Sequence, residues 1–119
     1  MPHLTLQYTA NLSSLDIPQT LRRINQSTFE AGLFGEDEIK TRAVALPEFL
    51  VGTAGKQRAF VHLSVAMSAR GPAVEGAMAK ALGDVLIDAV GKKPQFSTQV
   101  CVEVMHVDTT SYVKVELEP

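Results

Sequence analysis

The feature that most constrains this chain is an order of elements written twice. Residues His3 to Thr9 alternate, with Leu4, Leu6 and Tyr8 on one side and His3, Thr5 and Gln7 on the other, the two-residue period of a half-buried strand. The connector NLSSLD is rich in helix-capping residues, and Asp16 followed by Ile17 and Pro18 predicts a helix start. Ile17, Leu21, Ile24, Thr28 and Ala31 then form one helical stripe, stopped by Gly32 and Gly35. A second alternating run from Ile39 to Leu46 points Lys40, Arg42, Val44 and Leu46 to one face.

After PEFLVGTAGKQR, which reads as a turn or hairpin around Gly52 and Gly55, the same order returns. AFVHLSVAMS alternates Val61, Leu63, Val65 and Met67 against His62, Ser64 and Ala66. A helix starting near Pro72 carries Val74, Ala77, Met78, Ala81, Leu82, Val85, Leu86 and Ala89 on one stripe. Gly91, Lys92, Lys93 and Pro94 close it. TQVCVEVMHV predicts a last long strand, and YVKVEL a short one near the C-terminus.

These patterns predict an α+β fold in a single domain over residues 1–119. It consists of two β-α-β units, about 2–46 and 59–107, with a small extra strand at the end of each. Right-handed crossovers would place both helices on one face of a four-stranded sheet. The other face, to which several apolar residues are assigned, is expected to need a partner, most simply further copies of the chain.

The 119 residues, 45% hydrophobic and 20% charged, are enough to bury roughly 65–70% of the unfolded surface. The formal charge of −2 and the scattered Lys and Arg argue against a nucleic-acid partner. A single cysteine, Cys101, excludes an intrachain disulfide or a multi-thiolate zinc site and suits a reducing compartment. Without a leader-like or membrane-spanning segment, the expectation is a cytoplasmic protein with no membrane partner.

Candidate chemistry begins at Pro2. Proline at the start of a strand needs no explanation, because its missing N–H is not required there. If Met1 is removed, however, the Pro2 nitrogen becomes a secondary amine that can carry a proton. Burial beside cations would lower the proton affinity of such an amine and suit it to acid–base work. Lys40 and Arg42 project from one strand face roughly 6.6–6.8 Å apart, either as a solvated strand edge or as two cations for a dianion. His3, His62 and His106 fall on separate strands without ligand spacing, so no metal is expected. Cys101 reads as a small strand side chain. Tyr8, Phe34 and Phe60 read chiefly as core, with an apolar wall to a site as the alternative.

Three segments together resemble the tautomerase superfamily, and within it the 5-carboxymethyl-2-hydroxymuconate isomerases. They are MPHLTLQYTANL, the stretch GLF followed by IKTRA, and RAFVHLSVAMSARG. The resemblance covers nearly the whole chain. It implies a homotrimer whose sheets form a central barrel, with a site at each subunit boundary. It also implies removal of Met1, a catalytic N-terminal Pro2 and no cofactor. Lys40 and Arg42 would then bind substrate carboxylates, Arg70 would add a contact, and His62 would be structural or line the site. Lys40 is a departure, since the resemblance leads one to expect arginine, and an ammonium cannot reproduce a guanidinium fork.

The activity implied is proton transfer within an unsaturated 2-hydroxydienoate carboxylate, in aromatic catabolism such as that of homoprotocatechuate. The alternatives are a tautomerase for another enol acid, such as a phenylpyruvate-like one, and a trimeric small-molecule-binding protein without catalysis.

Overall fold

A computed structural model describes residues 1–119. Strand β1 (His3–Thr9), helix α1 (Ile17–Glu30) and strand β2 (Lys40–Leu46) form the first unit. Strand β3 (Arg58–Met67), helix α2 (Pro72–Val90) and strand β4 (Ser97–His106) form the second. The sheet order is β2-β1-β3-β4, with each unit's own strands parallel and the two units joined antiparallel through β1 and β3. The predicted four-stranded sheet with both helices on one face is what forms.

Local chemistry explains the boundaries. The Asp16 carboxylate accepts the Gln19 N–H at 3.1 Å, capping α1 before Pro18 in its first turn. At α2, Pro72 opens the helix behind Gly71, whose φ of +99° a β-carbon would disfavour. The Glu75 carboxylate accepts the Arg70 N–H at 2.7 Å and the Gly71 N–H at 3.1 Å, which ties the preceding loop to the first turn of α2.

The core lies between sheet and helices. Leu4 and Leu6 of β1, Val61, Leu63, Val65 and Met67 of β3, Ile24 of α1, and Met78, Leu82 and Leu86 of α2 form one buried cluster. Helix α2 buries a narrower stripe than expected, because Val74, Ala77 and Ala81 stay exposed. Helix α1 uses Thr20 and Thr28 where apolar residues would be usual, and each hydroxyl donates to the carbonyl four residues back, at 2.6 and 2.8 Å.

The open sheet face is mixed: Val44, Leu46, Phe60, Ala66 and Met105 lie on it as expected, among polar neighbours. The pleat and register place Gln7 beside His62 and Cys101, Thr5 beside Arg42, Ser64 and Glu103, and His3 beside Lys40, Ala66 and Met105. Val44 and Met105 of this face are 43% and 51% exposed, and apolar exposure continues in the C-terminal tail, where Val113, Val115 and Leu117 are 87%, 72% and 87% exposed. The predicted YVKVEL strand does not form within the chain; residues 47–57 hold no strand and bend with Gly52 and Gly55 at φ of +75° and +69°, the turn rather than the hairpin alternative. Alternation makes a segment suited to pairing, but a strand exists only where a neighbouring edge completes its hydrogen bonds.

The C-terminal tail links the two ends of the chain. The Val107 N–H donates to the Met67 carbonyl at 2.8 Å, and a turn capped by Asp108 comes next. The chain then crosses the end of the sheet from β4 and brings Tyr112 to His3, at the start of β1.

Candidate functional site

Pro2 is buried immediately before β1, and its carbonyl accepts the Lys40 N–H at 3.3 Å. This is the start of the β1–β2 ladder, where a residue without its own N–H leaves no gap. The adjacent terminal amine is held below its ordinary value of 8.0. Burial is the main cause; Lys40, through its charge and a hydrogen bond, and Lys114 add to it, and Glu38 opposes them. The Met1 amine, next to Pro2, is thus shifted toward its neutral form.

Lys40 and Arg42 share the open face of β2, opposite His3 and Thr5 of β1. The Lys40 ammonium donates to the Glu38 carbonyl oxygen, which anchors it at the strand's beginning. Arg42 Nη2 lies 3.0 Å from His3 Nδ1, and His3 Nε2 lies 2.9 Å from the Tyr112 hydroxyl. The His3 and Tyr112 rings meet edge to face at 5.9 Å. Burial first, then Arg42, Lys40 and the N-terminal charge, holds His3 below its ordinary value of 6.5.

A cleft of about 430 Å³ opens between this cluster and the tail. Its polar lining is His3, Asp37, Lys40, Tyr112, Lys114 and Glu116. The volume falls within the ordinary range for small-molecule sites, and its wall carries two ammonium groups, Lys40 and Lys114, and two carboxylates, Asp37 and Glu116.

The sequence-derived candidates therefore divide. Pro2, Lys40 and Arg42 gather at the start of β1 and β2. Arg70 follows β3, whose end lies against the start of β1; its guanidinium sits 5.2 Å from the centre of the Phe34 ring. Phe34 and Tyr8 belong to the core or its margin, while Phe60 is half-buried on the open face. His62 stands four β3 residues from the pair facing His3, roughly 13 Å along the strand, where it meets Glu103 at 2.7 Å. Cys101 is exposed beside it. His106 contacts Glu75 at 2.8 Å, so the three histidines occupy three separate places.

Sequence reading missed His3 as a site residue, along with Tyr112 and Lys114. The tail residues carried no signal beyond their alternation, because their place depends on how the chain crosses the sheet.

Comparison with known proteins bears on the family and the fold. A structure of a 5-carboxymethyl-2-hydroxymuconate isomerase from Deinococcus radiodurans R1 is similar at a TM-score of 0.89 and 28% identity, covering 98% of this chain and 90% of its own. A 5-carboxymethyl-2-hydroxymuconate delta-isomerase is similar at a TM-score of 0.86 and 15% identity, over 98% and 89% of the two chains. The W0 fused 4-OT wild-type symmetric trimer is similar at 0.69 and 12% identity, over 92% and 91%. At the two lower identities the likeness is one of fold. No curated protein matches the sequence. The family model for 5-carboxymethyl-2-hydroxymuconate isomerase matches residues 2–114. With that match over nearly its whole length, the chain belongs to the 5-carboxymethyl-2-hydroxymuconate isomerase family and has the tautomerase-superfamily fold.

Proposed function

We propose that this protein is a cofactor-independent isomerase that moves a proton within an unsaturated 2-hydroxydienoate dicarboxylate of the 5-carboxymethyl-2-hydroxymuconate kind. Removal of Met1 would free the Pro2 amine, which accepts a proton from one position of the substrate and returns it at another. Between the two transfers the substrate is a dienolate, whose added negative charge Lys40 and Arg42 counter while they hold its carboxylates. The reading includes a cytoplasmic homotrimer, by analogy with the symmetric 4-OT trimer. The exposed apolar tail, and a cleft that opens at the outer strand β2, are consistent with neighbouring subunits completing the site.

The observation that carries the proposal is the conjunction at the chain's start. A buried Pro2 lies next to the Met1 amine, which burial and Lys40 depress, beside a cleft that Lys40 and Lys114 line together with Asp37 and Glu116. General acid–base catalysis is worth about 10²–10⁴-fold. Pro2→Ala should therefore lower ketonisation of a 2-hydroxydienoate by at least about 10²-fold without changing the oligomer. The assay belongs with an intact-mass measurement on the same sample. Processed protein that binds a dienoate without turning it over would sink the catalytic reading and favour a binding protein of the same fold.

A further inference from the structure

We infer that Tyr112 presents its hydroxyl as a hydrogen-bond donor to the anionic substrate, and that His3, as a neutral imidazole, is the residue that positions it together with Arg42. The inference deepens the isomerase reading and rests on it.

Donor and acceptor chemistry sets the direction of each hydrogen bond. A guanidinium has donors only, so at 3.0 Å from Arg42 Nη2 the His3 Nδ1 must be the acceptor. An imidazole that accepts at Nδ1 and remains neutral carries its proton at Nε2. His3 Nε2–H therefore donates to the Tyr112 oxygen at 2.9 Å. With that oxygen accepting from His3, the tyrosine's own proton is free for another partner. Tyr112 lines the cleft together with Lys40 and Lys114, and with Asp37 and Glu116. One relay thus runs from β2 through β1 to the tail and delivers an uncharged donor beside the cations.

The surroundings support a neutral His3. Arg42 and Lys40 of β2 bring positive charge near the ring, and Lys114 of the tail faces the same cleft, against Asp37 and Glu116 on its wall. A proton on Nδ1 would also convert the Arg42 contact into a donor–donor clash. Acidification should therefore break the relay at His3 first.

Four measurements test this. Nitrogen-15 NMR of His3 at neutral pH should show the Nε2–H tautomer; an Nδ1–H tautomer or a charged ring would overturn the relay. Tyr112→Phe should keep fold and oligomer but lower kcat/KM for the dienoate about tenfold, by loss of one donor to developing charge. His3→Gln, which retains one acceptor and one donor, should stay within about threefold of wild type, whereas His3→Phe should fall as far as Tyr112→Phe. The double variant His3→Phe/Tyr112→Phe should fall little further, as expected for two residues acting as one unit.

If wild type turns over and Tyr112→Phe is unchanged, this inference alone fails. Equal losses in His3→Gln and His3→Phe remove the positioning role. If processed wild type does not turn over, the isomerase reading fails and the inference falls with it.

Discussion

Replacing Arg42 with glutamine separates the side chain's proposed role in binding from any role in the fold. Arg42 is exposed on the open face, and its hydrogen-bond partner is His3 Nδ1. Loss of an exposed charge with no buried partner should change stability by no more than about 0.5 kcal/mol, a melting shift of about 2 °C for a domain of this size. Binding should respond far more. A charge-assisted hydrogen bond to a carboxylate is worth about 1.5–3 kcal/mol. At about 1.4 kcal/mol per factor of ten, that predicts a loss of roughly 10- to 150-fold in kcat/KM, in KM through the carboxylate already charged in the ground state and in kcat through the dienolate charge that Arg42 counters.

The same variant should let His3 rise toward its ordinary 6.5, because one of the cations holding it down is gone. Linkage gives the sign for stability. A histidine depressed in the folded state binds fewer protons there than in the unfolded chain. Stability is therefore lost as pH falls below 6.5 toward the folded value, and Arg42→Gln should lessen that loss. Steady-state ketonisation, thermal melts and an NMR titration of His3 make up the assay. A change in kcat/KM of less than threefold in a folded variant would refute the assignment of Arg42 to a substrate carboxylate.

Other changes probe the frame around the site. Leu82 is fully buried at the centre of the α2 stripe, so Leu82→Ala should cost about 3 kcal/mol and lower the urea midpoint by about 2 M at a slope near 1.5 kcal/mol/M. Ile87→Ala on the exposed side of the same helix should shift the midpoint hardly at all, and equal shifts would contradict the packing. The Glu75 carboxyl is held below its ordinary 4.5, first by the Arg70 backbone N–H and then by His106. Its contribution to stability is present above that value and lost as pH falls through the folded one. Melting temperatures of wild type and Glu75→Gln should therefore converge below pH 4.5, and a constant gap would show that the carboxylate's charge contributes nothing.

Much of the molecule was legible in the sequence because its signals are local. Strand and helix periods come from backbone geometry, so the doubled β-α-β order could be read from runs of residues such as Leu4–Leu6 and Val61–Met67. The same period placed Lys40 and Arg42 on one face, and Asp16 and Pro72 marked helix starts that the structure keeps. Pro2 stood out by position alone, and the motifs around it pointed to the family whose model the chain matches.

Tertiary structure decided what depends on neighbours distant in sequence. YVKVEL alternates as a strand should, yet no edge within the chain meets it, so Val113, Val115 and Leu117 remain exposed. The register set Thr5, Ser64 and Glu103 side by side on the open sheet face and left Val44 and Met105 exposed on it. Most telling is Tyr112, which reaches His3 across 109 residues of sequence. No spacing rule links the two. Local periods determine which elements form and which way they face, but the meeting of chain ends depends on the path around the whole sheet.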